Sequence, residues 1–599
     1  MSLCVTRRGV DRAAQDLGKT AGGKVECSER DKVHMHRRLA FLSLLVSYAA
    51  WPGSLARAQQ PANAGTPSTA PTLQQPATTI RTTTRLVQVS VVVTDKKGAP
   101  ITGLKSEDFT VFDQSNPQEI AFFSGASPAP AAPAQPLPKN VFTNRFDLKG
   151  QEPGAVTVVL FDSLNTTFAD QAYVREQVIK FLKSLKPQDH VAIYALTTKL
   201  HLLHEFTHDA SALVKAASQF QPLPMSATNP QFYDLPAGNQ EWQAFQSSVG
   251  EAAVSQAGER LDYRARTTTE AFRMIANHVA AIPGRKNLVW VSASFPLWFS
   301  TGTVNARDGR IEALTKEAGR ALNRENMAIY PVDAKGVQVD PSFSAAATQE
   351  PTGDNLMSEM LSRQAAERLL ADITGGQAFY GNNDIAAGVR KAFDDARYSY
   401  TIGFYPDHGQ WKGEYRKISI RTNIKGAQLR YRAGYFAEAE GVNSDEARTM
   451  AAMQEAAMSP LDATGLGMVV DGKLEGSAAD RKIELRIGLD PKQLLMQNSG
   501  DHQKRAVDLY FAQRDAKGEI VAAGKQRFKL DLDEQQYNDL SKAGLVLTWH
   551  LTISPQATEA CMLVRDAGSG ALGSVTMPVQ TLLEGPGKAT AATKQARPK

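Results

Sequence analysis

His204-Glu205-Phe206-Thr207-His208 reads H-E-x-x-H. On a helix, residues four apart share a face, so His204 and His208 would hold one Zn²⁺ while Glu205 activated its water. That is the chemistry of a zinc metallopeptidase, and His201 lies close by in the chain. The surroundings oppose it. Leu200 to Phe206 follows an apolar strand closely and can extend it as a hairpin. Asp209 stands where the metallopeptidase pattern takes an uncharged residue. Thr207 and Asp209 suit the N-cap of a helix carrying Leu213 and Val214. No further ligand follows at a familiar spacing. The pattern alone also permits a helix through the stretch, so a zinc peptidase using His204, Glu205 and His208 stands as the alternative reading.

Other catalytic signatures are missing. The chain has no G-x-S-x-G elbow, no G-x-x-x-x-G-K phosphate loop and no G-x-G-x-x-G after a strand. The carboxylates are scattered and form no acid–base pair. The expectation is a protein that is not an enzyme.

The N-terminal region carries an address rather than a fold. His36-Arg37-Arg38 is a short basic stretch, and Leu39 to Ala50 is apolar but too short to span a bilayer. Ala56-Arg57-Ala58 supplies a small-x-small cleavage site, with Gln59 as the new terminus. Residues 1–58 therefore read as leader and signal peptide, the signal starting at Met35. They hold ten Lys/Arg and five Asp/Glu, so the whole +5 of the chain falls there and the remainder is neutral. No basic footprint for nucleic acid is left. Cys4 and Cys27 go with the leader, and Cys561 alone can form neither an internal disulfide nor a metal cluster. No transmembrane helix is expected in the mature chain, and its place is periplasmic or secreted.

The elements that would position a site follow. Residues 59–84, rich in Pro, Ala, Gln and Thr, cannot bury enough apolar surface to fold and read as a disordered linker. Residues 85–124 form a small β module, with the alternating strand Leu86 to Val93 and the turn Asp95-Lys96-Lys97-Gly98. It is near the size limit for its own core, so it should pack on a neighbour. A Pro/Ala linker spans 125–152. From 153 to 437, buried strands alternate with amphipathic helices. The strands are Val156 to Phe161, Val191 to Leu196, Asn287 to Val291, Met327 to Val332 and, last, Tyr398 to Tyr405. Such alternation predicts a doubly wound, mostly parallel α/β sheet, interrupted here by an insertion at 221–266. Ligand sites in these sheets lie beyond the strand C-terminal ends, which points to Asp162, Ser292 and Asp333. A linking helix is expected in 438–460, a β-sandwich with a short helix near Gln535–Leu540 in 461–585, and a disordered tail in 586–599.

The ordered set Val89-x-Val91-x-Val93-Thr94-Asp95-x-x-Gly98, Leu160-Phe161-Asp162-Ser163-Leu164-Asn165-Thr166, Gly284-Arg285-Lys286, Tyr330-Pro331-Val332-Asp333, Thr374-Gly375-Gly376 and Tyr400-x-x-Gly403-Phe404-Tyr405 resembles the von Willebrand factor A (VWA) superfamily. More closely, it resembles the exported VWFA-related domain family of the acidobacterial type, over residues 86–436. The resemblance implies a Rossmann-like binding domain with a metal-ion-dependent adhesion site (MIDAS) for Mg²⁺ or Mn²⁺, whose hard oxygen ligands suit those ions.

On that resemblance, Asp162, Leu164 and Thr166 align with the first metal loop, and Thr268 of Thr267-Thr268-Thr269 supplies the second. Leu164 replaces a coordinating hydroxyl, and the third loop reads Ser292-Ala293-Ser294 where an aspartate belongs. The set Asp162, Thr166 and Thr268 is therefore a degenerate MIDAS. Asp162 can instead cap the turn that follows it. Trp242, Phe245, Trp298 and Phe299 sit on loops at the expected ligand edge, where aromatics suit a protein interface. The expected function is a non-catalytic protein-binding or adhesion module facing a partner in the envelope or extracellular space. A metal-free structural envelope component is the other alternative.

Overall fold

The computed structural model describes residues 86–584. It omits 126–136, 150–154, 221–239, 298–305, 335–352, 408–410, 438–445 and a few shorter stretches. The signal at 35–58, the linker at 59–84 and the tail at 586–599 lie outside the described residues. So do Trp298 and Phe299, while of Trp242 and Phe245 only the helical backbone is described. The chain is multidomain and mixed α/β, with several sheets.

Four strands come first: β1 (Val87–Thr94), β2 (Phe109–Asp113), β3 (Asn116–Gln118) and β4 (Ile120–Ser124). Between β1 and β2, Gly98 turns the chain at φ +83°, a value open to glycine at little cost. Asp95 Oδ1 accepts the Lys97 and Ala99 amides there. In the stretch expected as linker, β5 (Val141–Thr143) forms.

The α/β unit follows, with β6 (Val156–Asp162), α1 (Phe168–Leu182), β7 (Val191–Leu196), β8 (Leu200–Thr207), α2 (Ala210–Gln219) and α3 (Gln240–His278). It continues through β9 (Lys286–Ser292), α4 (Ala306–Arg324), β10 (Met327–Asp333), α5 (Gly353–Thr374) and α6 (Ile385–Arg397). Its sheet has the order β10-β9-β6-β7-β8, parallel except for the edge strand β8. Successive side chains of β6 point to opposite faces. Val158 and Leu160 join α3 and α4 through Phe272, Ile275, Ile311 and Leu322. Val159 and Phe161 join α1, α2 and α6 through Val178, Leu213, Val389 and Phe393. Helices on both faces explain why β6, β7 and β9 are buried along their whole lengths. The helix anticipated after Thr267 begins far earlier, at Gln240, inside the stretch read as an insertion.

Strand β11 (Ser399–Phe404) does not complete this sheet as expected. It pairs antiparallel with β1, Val89 opposite Ile402. With β12 (Glu414–Thr422), β13 (Gln428–Arg430) and β14 (Gly434–Ala437), it returns to the N-terminal strands. Two sheets result, β13-β1-β11-β4 and β14-β12-β2-β3. One core lies between them, holding Val89, Val91, Val111, Ile402, Phe404 and Ile420. A short, fully buried strand fits the centre of either kind of sheet, so its pattern does not reveal its partner. The stretch 85–124 is half of an assembly whose other half comes from 399–437.

Helix α7 (Glu446–Met458) leads to β15 (Met468–Glu475), β16 (Lys482–Leu489), β17 (Gln497–Ser499), β18 (His502–Arg514) and β19 (Ile520–Asp533). After α8 (Glu534–Ala543) come β20 (Leu545–Thr552), β21 (Glu559–Asp566), β22 (Leu572–Pro578) and α9 (Val579–Glu584). One sheet runs β20-β16-β15-β5, and the other is built on β18, β21 and β22. Met468, Ile483, Leu485 and Ile487 share one core with Leu509, Phe511, Met562 and Val575 of the other sheet. The edge place of β5 is taken by residues from before the α/β unit. Among the described residues, no helix is long and apolar enough to cross a membrane, which says nothing of β-barrels.

Candidate functional site

His204 to Thr207 lie on edge strand β8, where neighbours point to opposite faces, and His208 follows directly after it. His204 and His208 are therefore not held on one helical face. Asp209 caps α2, accepting the Ser211 and Ala212 amides. His204 Nδ1 sits 2.7 Å from the Glu205 carbonyl oxygen, and the His208 ring pairs edge-on with His190. Glu205 Oε1 turns to buried His278 Nε2 at 2.9 Å, while His278 Nδ1 faces the Asp462 carbonyl oxygen at 2.7 Å. Both partners are acceptors, which calls for a proton on each ring nitrogen. Burial opposes that charge, but Glu205 and Asp462 outweigh it and hold the His278 pKa above its ordinary value. Among the described residues His204, Glu205 and His208 form no group that could share a metal ion, and the helix that the zinc alternative needs is a strand here. Glu475, Glu484 and His550 do converge, on another sheet.

The second candidate lies where β6 ends. Residues Asp162, Ser163, Leu164, Asn165 and Thr166 are all buried. Asp162 Oδ1 accepts the Asn165 backbone N–H at 2.9 Å. Asp162 Oδ2 accepts the Asn165 side-chain amide at 2.7 Å and the Trp290 indole N–H at 2.8 Å. Burial pushes the Asp162 pKa up, and these donors together with the Ser292 hydroxyl oppose the rise. Leu164 sends its side chain into the core beside α3, which is why a leucine serves where a ligand hydroxyl was expected.

Thr268 Oγ1 accepts from Asn165 Nδ2 at 3.0 Å, and Thr166 Oγ1 accepts the Ala293 amide at 3.1 Å. Arg264, one helical turn before Thr268, donates from Nε to Asn165 Oδ1 at 2.7 Å and from its terminal nitrogen to Ser294 Oγ at 3.0 Å. Hydrogen bonds thus join Asp162 and Thr268 in one network, with Asn165, Trp290 and Arg264 as members that the motif did not single out, while Thr166 bonds instead to the loop after β9. The spacing of Arg264 and Thr268, four apart on a helix, is the signal that could have found Arg264.

This donor set does not fit a hard divalent cation. Both Asp162 oxygens face N–H donors, the hydroxyls of Thr166 and Thr268 already accept, and the nearby charge is a guanidinium. A cavity of about 10 Å³ touches Asp162 and Thr166 on the α1 side, and Thr268 does not line it.

No family model matches the chain, and no curated protein does. Among solved structures, an aerotolerance-related membrane protein of Bacteroides fragilis NCTC 9343 is 9% identical with a TM-score of 0.22, covering 41% of this chain and 98% of its own. The conserved hypothetical protein BatB of Bacteroides thetaiotaomicron is 11% identical with a TM-score of 0.21, covering 40% and 99%. Three N-terminal domains of the type V pili tip protein Mfa5 of Porphyromonas gingivalis are 9% identical with a TM-score of 0.23, covering 77% of each chain. Likeness at these scores does not extend to function.

Proposed function

We propose that the chain is an exported, non-catalytic protein-binding or adhesion module of the VWFA-related type. In this reading the α/β unit is a VWA-like domain inserted into a β-sandwich and followed by a second one. Its binding edge lies at the C-terminal ends of β6 and β9, and it works without a resident divalent ion. The observation that carries the metal-free reading is the Asp162–Asn165–Thr268–Arg264 network, in which protein donors occupy the oxygens that an ion would need. A permanent arginine also frees the edge from dependence on ion supply.

The test has two parts. Thermal unfolding of the mature chain after chelation should show the same midpoint with Mg²⁺, Mn²⁺ or Zn²⁺, because a ligand bound only by the native state raises the midpoint. A Mg²⁺ or Mn²⁺ shift abolished by Asp162→Ala would overturn the metal-free reading. Envelope extract passed over the immobilised chain should yield a partner that is lost with an edge variant and not with a remote surface variant. N-terminal sequencing of the exported product should begin at Gln59.

A further inference from the structure

A cavity of about 230 Å³ lies at the opposite end of the parallel sheet from Asp162. Lys286, which starts β9, forms part of its wall, and so do Arg320 and Arg324 at the end of α4. Across the seam stand Gln88 of β1, Arg432, and Tyr435 of β14, with Trp411 beside them. The cavity therefore bridges the α/β unit and the sheets built from β1 and β14.

Its charge is one-sided. Lys286, Arg320, Arg324 and Arg432 line it, against Glu325 as the one acid among the lining residues. Two of the arginines are held in place. Arg320 stacks over the Phe436 ring at 4.9 Å, and Arg432 donates to the carbonyls of Asn323 at 2.8 Å and Gln88 at 2.7 Å.

Lys286 is the informative member. It is 5% exposed, and its ammonium donates to the Ile282 carbonyl at 2.7 Å. Among the described residues no carboxylate comes within ion-pair range of it. An ammonium has three donors, and burying it without a counter-charge is costly. Burial accordingly pulls its pKa down to about 8, with Glu325 only partly offsetting the effect. An anion entering the cavity would meet fixed guanidinium groups and restore the lysine's full charge.

We propose that this cavity binds a small carboxylate or phosphate anion, with Trp411 and Tyr435 covering its less polar side. Its size admits a short dicarboxylate or a monophosphate. The bound anion would clamp the α/β unit to the neighbouring sheets. This proposal is independent of the partner-binding role proposed for the Asp162 edge.

The experiment is calorimetric titration of the full mature chain, at pH 8 and constant ionic strength, with inorganic phosphate and separately with succinate. Saturable binding is expected for at least one of them, with proton uptake seen as a heat that depends on the buffer. Response to one anion alone identifies the ligand class, and response to both identifies a general anion site. Lys286→Met should abolish the proton uptake and weaken binding about tenfold or more, the usual loss for a charge-assisted hydrogen bond. Arg324→Gln, at an exposed position, guards against misfolding of the buried variant and should weaken binding while keeping the uptake. Binding of neither anion, or equal affinity and uptake in both variants, would overturn the proposal.

Discussion

Arg264 and Asn165 meet at 2.7 Å, the guanidinium donating to the same side chain whose amide donates onward to Asp162 and Thr268. A cation of the protein's own thus stands at the end of β6. Arg264→Met should lower stability by about 1–3 kcal/mol, the range for leaving a buried polar group unsatisfied. Denaturant unfolding with and without Mg²⁺ checks it. The loss should be the same in both, because no ion is expected to fill the place of the guanidinium.

His278 and Glu205 give a pH signature. The His278 pKa is raised above 6.5, so its stabilisation is full below that value and is lost as pH rises through the raised one. Burial alone would raise the Glu205 pKa, but His278, Lys149 and His204 bring it below 4.5. Its stabilisation is therefore full above 4.5 and is lost as pH falls through the lowered value. The pair should contribute most between those two ordinary values. Buried Asp462, whose own pKa is raised, and Tyr194 also belong to this surrounding. Unfolding midpoints measured across pH should fall on the alkaline side, and His278→Gln should flatten that limb.

Gly376 lies against β10, and a Cβ there would meet the Ile329 carbonyl oxygen at 1.8 Å. No rotamer relieves a backbone clash, so Gly376→Ala should destabilise by about 3 kcal/mol. Gly98 has nothing within 4 Å of its Cβ position, only φ +83°. Gly98→Ala should cost about 1–2 kcal/mol, from the left-handed conformation alone. Paired unfolding measurements separate the two mechanisms.

Asn144, in the stretch whose composition reads as linker, is buried against the chain that enters β15. Its amide donates to the Ala463 and Leu466 carbonyls at 2.6 and 2.8 Å, and its Oδ1 accepts the Met468 amide at 2.8 Å. Asn144→Ala should cost about 2 kcal/mol or more through backbone groups left unsatisfied. Hydrogen exchange should quicken at Met468, whereas a true linker residue would leave it unchanged.

What could be read from the chain alone was what neighbours in sequence decide. The alternation Val87, Val89, Val91, Val93 makes a strand with one buried face, wherever its partner comes from. Asp95 to Gly98 and Asp515 to Gly518 form the same turn, with Asp accepting two nearby amides and Gly taking a positive φ. The apolar runs of β6, β7, β9 and β10 foretold a sheet covered on both faces, and the end of β6 marked Asp162. Asp209 as a cap argued against the helical reading of H-E-x-x-H.

Tertiary structure alone decided which of these elements meet. β11 carries the same burial pattern in either sheet, and only packing sends it to β1, from the far side of the whole α/β unit. Arg264 reaches Asn165, and Glu205 reaches His278, across separations of 99 and 73 residues. Local propensity acts over a few residues, through backbone sterics and nearby hydrogen bonds. The choice of a distant partner depends instead on burying whole faces together and satisfying each polar group that burial removes from water.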